Sequence, residues 1–162
     1  MAVTIEVSNR QRLLRVNAAK LRAVARRVFG AEGVEKASLG IALVDDHHIR
    51  HLHRQFLGLD SPTDVLTFPL HEPGEPLSGE IVISVETAMR EGPPHQHGPE
   101  EEVFLYLVHG ILHLCGYEDH TAKGARLMRK RQRELLGQML AADPTRAQQG
   151  HGQSRMKVEG MG

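Results

Sequence analysis

Residues 103–115 read VFLYLVHGILHLC, a helix that is apolar nearly all round yet carries two imidazoles, His109 and His113. A helix without a polar face is buried on every side, so the rest of the chain must pack around it. At 100° per residue two positions four apart diverge by only about 40°, so these two side chains project together. Leu105, Tyr106 and Leu112 share their side of the helix. Unpaired, each imidazole loses hydration in such surroundings; protonated together, they repel. A divalent cation removes both problems, because neutral imidazole is a good ligand for it.

Histidine spacing alone carries little weight here. The chain has 11 histidines in 162 residues, and a pair four apart arises by chance at that density. His47 and His51 form another such pair, but they lie opposite the apolar face set by Ile49, Leu52 and Phe56 and are expected in water. The residues after His113 set the second pair apart. Gly116 comes three residues later and Asp119 three after that. This layout is similar to the ligand frame of the metzincin zinc hydrolases, where a glycine lets the chain leave the helix and bring a third ligand back to the metal. Asp119 occupies the third slot and His120 is its neighbour; the spacing favours Asp119, with His120 as the alternative. Three protein ligands with an open fourth position are the pattern of a catalytic zinc. Position 110 is Gly, where a zincin carries its general-base Glu, so a proton acceptor must come from elsewhere. Asp60, Asp64 and Glu118 are candidates, each also readable as a turn or capping residue.

Around this helix strands and helices interleave. Val3–Val7 alternates as a strand. Asn17 is placed to cap a helix over Ala18–Phe29, with Leu21, Val24, Ala25 and Val28 on one face. Ser38–Val44 is a buried strand, and Asp45 or Asp46 caps a short helix that Gly58 stops. Val65–Phe68 and Gly79–Ser84 read as strands on either side of a Pro/Gly loop, and Ser84 caps a helix to about Arg90. A loop with two histidines spans Gly92–Gly98, and Glu100, Glu101 and Glu102 suit a first helical turn. A final helix covers about Thr121–Leu140. The expectation is one α/β (α+β) domain over 1–142, with a mixed sheet of about four strands against about five helices and the metal on a buried helix. Residues 143–162, rich in Gly, Gln and charge, read as a disordered tail.

Composition excludes several classes. Hydrophobic residues make up 40% and charged residues 25%, as in ordinary globular domains. A single cysteine, Cys115, excludes a disulfide framework and a four-cysteine zinc site. No apolar run approaches the roughly 20 residues of a membrane span. The chain therefore reads as soluble and cytoplasmic, with no membrane partner. Its net charge is zero but uneven: residues 1–36 carry +5, 37–120 carry −11, and 121–133 hold six basic and no acidic residues. Such basic ends around an acidic middle read either as a nucleic-acid surface, with Lys20, Arg22, Arg26, Arg27, Arg126, Arg129, Lys130, Arg131 and Arg133 on it, or as basic helix faces paired with acidic loops. With two Tyr and four Phe, no base-stacking platform is evident.

Three stretches in order carry a family resemblance. HGILHLCGYEDH (109–120) resembles the histidine signature of the YbeY family of bacterial endoribonucleases and rRNA maturation factors; FLGLDSPTDVLTFPL (56–70) and GEIVIS (79–84) resemble two further segments of it. The resemblance spans about residues 3–140. It implies an α/β fold with a metal-holding helix in a cleft and one Zn2+ ion. It implies a single-strand-specific endoribonuclease acting in 16S rRNA 3′-end maturation and ribosome quality control, with rRNA and the small ribosomal subunit as partners. His109 and His113 carry over as ligands; the family's third histidine falls on Asp119 when no gap is allowed. The family's Arg after Phe falls on Leu57, and Arg54, one turn earlier, is the substitute for RNA binding. Two rival readings are a ribosome-assembly factor whose zinc only holds the fold, and a zinc peptidase, against which Gly110 speaks.

Overall fold

The computed structural model describes residues 2–141. The expected tail over 143–162 lies outside the described residues. Four strands, β1 (Val3–Asn9), β2 (Ala37–Val44), β3 (Val65–Pro69) and β4 (Leu77–Ser84), form one mixed sheet in the order β1-β2-β4-β3. β1 pairs with β2 and β2 with β4 in parallel, and β3 closes the edge antiparallel to β4. The central strands β2 and β4 are the most apolar: one face is buried along its length, and the other is covered toward their C-terminal ends.

The helices are α1 (Ala18–Ala31), α2 (Asp46–Leu57), α3 (Val85–Glu91), α4 (Pro99–Leu114) and α5 (Ala122–Ala141). Side-chain caps set the starts of α1, α2 and α3. Asn17 accepts from Lys20 N at 3.2 Å, Asp45 from His48 N at 2.8 Å, and Ser84 from Thr87 N at 3.2 Å. Ile5, Leu39, Ile41, Ile81 and Ile83 line one sheet face and meet α1, α4 and α5 in the main core. On the opposite face, α2 places Ile49 against Val44, Leu66 and Val82 in a smaller core. The result is a sheet between α2 on one face and α1 and α4 on the other, with α5 packed on α4.

Two local expectations change. Phe56 does not join the buried face of α2: it is 58% exposed and packs edge-on against Phe68, with ring centroids 5.4 Å apart. Beyond Leu52 the buried side of the helix passes to His53, whose Nδ1 lies 2.9 Å from the Ser61 carbonyl oxygen. The loop over 92–98 contains a short 3-10 turn, Pro93–His95, and α4 begins at Pro99, with the Glu triplet inside its first turn.

One close approach fixes the depth of α4. A Cβ built on Gly110 would lie 2.8 Å from Ile81 Cδ1, so α4 rests directly on β4 at this point.

Candidate metal site

His109 and His113 stand one turn apart on α4, their ring centroids 5.3 Å apart and their planes at 85°. At Gly116 the backbone takes φ +101°, a conformation that side chains rarely adopt, and the chain turns back along the helix end. That turn brings Asp119 Oδ1 to 3.8 Å from His113 Nε2. One donor atom each from His109, His113 and Asp119 lie within 4.8 Å of one another, the one such group of three or more among the described residues. His120 is exposed and is not part of that group.

The three donors differ in environment. His109 is 2% exposed, and burial holds its pKa below the usual imidazole value, so it is neutral. Its Nδ1 lies 2.6 Å from Gln132 Oε1 on α5. Its Nε2 is buried and has no hydrogen-bond partner. An unpaired buried nitrogen costs on the order of 1–3 kcal/mol, and a cation between these donors satisfies it. His113 and Asp119 are partly open, each side chain 23% exposed, so the site has a solvent side. Two imidazole nitrogens and one carboxylate oxygen form a donor set that suits zinc.

A clasp holds the returning loop. Tyr117 donates to Glu32 Oε2 at 3.1 Å, and Arg131 on α5 donates to Glu32 Oε1 at 2.7 Å. Glu32 at the end of α1 thus ties the segment leading to Asp119 to the helix bearing Gln132. Sequence reasoning missed both Gln132 and Glu32. Gln132 had a signal: it is a lone polar residue in an otherwise apolar stripe with Met128, Leu135 and Leu136.

The remaining candidates are not part of that group of donors. Gly110 faces Ile81, which leaves no room for the acidic side chain of a zincin at that position. Asp60 is exposed and paired with Arg50 at 2.9 Å; Glu118 is exposed. Asp64 is 7% exposed, and burial pushes its pKa up to about 7. Arg54 and Leu57 are both exposed on α2, and no hydrogen bond or ion pair among the described residues joins Arg54 to the three donors. His47 and His51 are exposed, as their spacing implied.

A second polar cluster forms where the sequence suggested only a solvated helix start. Glu102, which reads from the sequence as a first-turn acid, is fully buried, with His95 Nδ1 at 2.8 Å and His97 Nδ1 at 3.0 Å from its two oxygens. Burial alone would raise its pKa, but the two imidazoles hold it below the usual carboxylate value. The Tyr106 hydroxyl is buried beside it and resists ionisation.

Sheet order, central helix and converging donors define the class: a single-domain α/β protein with a candidate cation site at the C-terminal end of its buried helix. The family model described as Endoribonuclease YbeY matches residues 6–140. The chain belongs to the endoribonuclease YbeY family. It is 39% identical over 124 residues to the protein named Endoribonuclease YbeY of Pelotomaculum thermopropionicum, covering 71% of this chain and 81% of that one. The protein of the same name from Moorella thermoacetica is 42% identical over 128 residues, covering 72% of this chain and 82% of that one. The solution structure of TM1509 from Thermotoga maritima superposes with a TM-score of 0.64 at 24% identity, over 94% of this chain and all of that one, and shows a shared fold. Among the described residues no helix is long and apolar enough to cross a membrane.

Proposed function

We propose that His109, His113 and Asp119 hold a single zinc ion at which the chain hydrolyses phosphodiester bonds of single-stranded RNA. Membership of an endoribonuclease family makes the chain a nuclease with a role in rRNA processing. The finer assignment is maturation of the 16S rRNA 3′ end and ribosome quality control, with the small ribosomal subunit as partner, in the cytoplasm. One observation carries the metal reading: three donor atoms within 4.8 Å of one another, one of them a buried imidazole nitrogen with no other partner.

When bound, the ion supplies Lewis-acid polarisation of a phosphate oxygen and lowers the pKa of a bound water. The chain's own side chains do the rest. Burial favours the neutral, ligating form of His109. His113 and Asp119 form the open rim where a phosphate is admitted. Exposed Arg22, Arg27, Arg126, Lys130 and Arg133 lie outside any ion pair found among the described residues and offer charge to the RNA backbone. Lys20 and Arg131 are already engaged with Glu100 and Glu32. Arg54 is the candidate on α2 for the place where the family has its Arg.

Replacing His113 by Ala tests the reading against a purely structural zinc. The catalytic reading predicts a folded protein that binds RNA and no longer cleaves it. Loss of the fold together with the metal would instead assign the ion a structural role. The peptidase reading loses its general base to the contact between Gly110 and Ile81.

A further inference from the structure

Gln132 is fully buried on α5, in a stripe otherwise made of Met128, Leu135 and Leu136. A buried amide in an apolar stripe destabilises the fold by on the order of 1–3 kcal/mol unless its hydrogen bonds are made. Gln132 makes one, at 2.6 Å to His109 Nδ1, and its own Nε2 has none. An apolar residue there would pack without that penalty, so the amide is there for what it does to His109.

We propose that Gln132 is the positioning residue that fixes the tautomer of His109: its carbonyl oxygen accepts Nδ1–H, which leaves Nε2 without a hydrogen and able to bind a cation. This rests on the reading that His109, His113 and Asp119 hold a metal. The opposite tautomer would place a hydrogen on Nε2, the nitrogen that Gln132 leaves free, and would exclude the ion. A metal-bound imidazole commonly donates its other N–H to an acceptor that sets both ring orientation and basicity. Here that acceptor is neutral, so the only anionic group among the three donors and their buried acceptor is Asp119. The clasp of Arg131 on Glu32 lies next to Gln132 in sequence and ties α5 to α1, so the acceptor is held on a helix with a fixed seat.

The test uses zinc, a competing chelator and ring-nitrogen NMR on the full chain. In the metal-free wild-type protein His109 is expected as the Nδ1–H tautomer. Gln132→Leu is expected to bind zinc about 10- to 100-fold more weakly. Gln132→Glu retains an acceptor and is expected to bind as tightly as the wild type or more so. The proposal is overturned if the wild type carries its hydrogen on Nε2, if Gln132→Leu binds zinc as the wild type does, or if Gln132→Glu loses as much affinity as Gln132→Leu. If the Leu variant does not fold, the wild-type tautomer decides. His113→Ala is measured alongside: if it too binds zinc like the wild type, the metal site itself is wrong, a failure distinct from that of Gln132.

Discussion

Replacing Asp64 by Asn should stabilise the protein, and increasingly so as pH rises. The side chain is 7% exposed, and burial, opposed by hydrogen bonds from Val65 N at 2.8 Å and Thr63 Oγ1 at 3.3 Å, lifts its pKa from 3.8 to about 7. The nearby Glu102 carboxylate pushes in the same direction. A folded pKa above the unfolded one means the folded state binds the proton more firmly. Below the unfolded pKa both states are protonated and nothing is lost. Between the two values stability falls as pH rises, and above about 7 the full cost is present. A shift of three units corresponds to about 4 kcal/mol, of which about 2–3 kcal/mol accrues between pH 5 and pH 8. Asn keeps the Oδ1 acceptor for both hydrogen bonds and carries no charge. Urea denaturation of both proteins, monitored by circular dichroism at the two pH values, isolates this contribution, because the other titrating groups are common to both. A stabilisation by Asp64→Asn of the same size at both pH values would refute the reasoning.

Further substitutions probe contacts in the fold and the charge offered to RNA. Gly110→Ala drives a Cβ to within 2.8 Å of Ile81 Cδ1 and should destabilise the fold by about 1–3 kcal/mol, read as a lower thermal midpoint; trimming Ile81 to Val in the same chain should recover part of it. Glu32→Ala removes the acceptor shared by Tyr117 and Arg131 and should speed amide exchange over 117–131 before it affects the sheet, as hydrogen-exchange mass spectrometry would detect. Arg126→Ala and Arg133→Ala should each weaken single-stranded RNA binding without regard to sequence and reduce the slope of log affinity against log salt by about 0.7.

Much of the fold was legible because local signals agreed with the global arrangement. The caps Asn17, Asp45 and Ser84 mark helix starts by hydrogen bonds that short polar side chains make locally. The apolar run from Val103 forced a central helix, since no other placement hides it. What escaped were features decided by distant neighbours. Phe56 has the right spacing for a buried face, but it meets only the edge strand β3, edge-on at Phe68, and stays 58% exposed. Glu102 looks like a solvated first-turn acid until two histidines from the preceding loop close over it. Gln132 becomes informative only when α5 is docked on α4, because its partner lies 23 residues earlier. The choice between Asp119 and His120 rests on how the chain turns at Gly116, a torsion that spacing suggests but does not determine.

Metal content measured on purified wild-type, Asp119→Ala and His120→Ala proteins bears most directly on the site. One zinc per chain in the wild type and in His120→Ala, with loss in Asp119→Ala, is the result this arrangement of donors requires. Zinc retained by Asp119→Ala and lost from His120→Ala would contradict it.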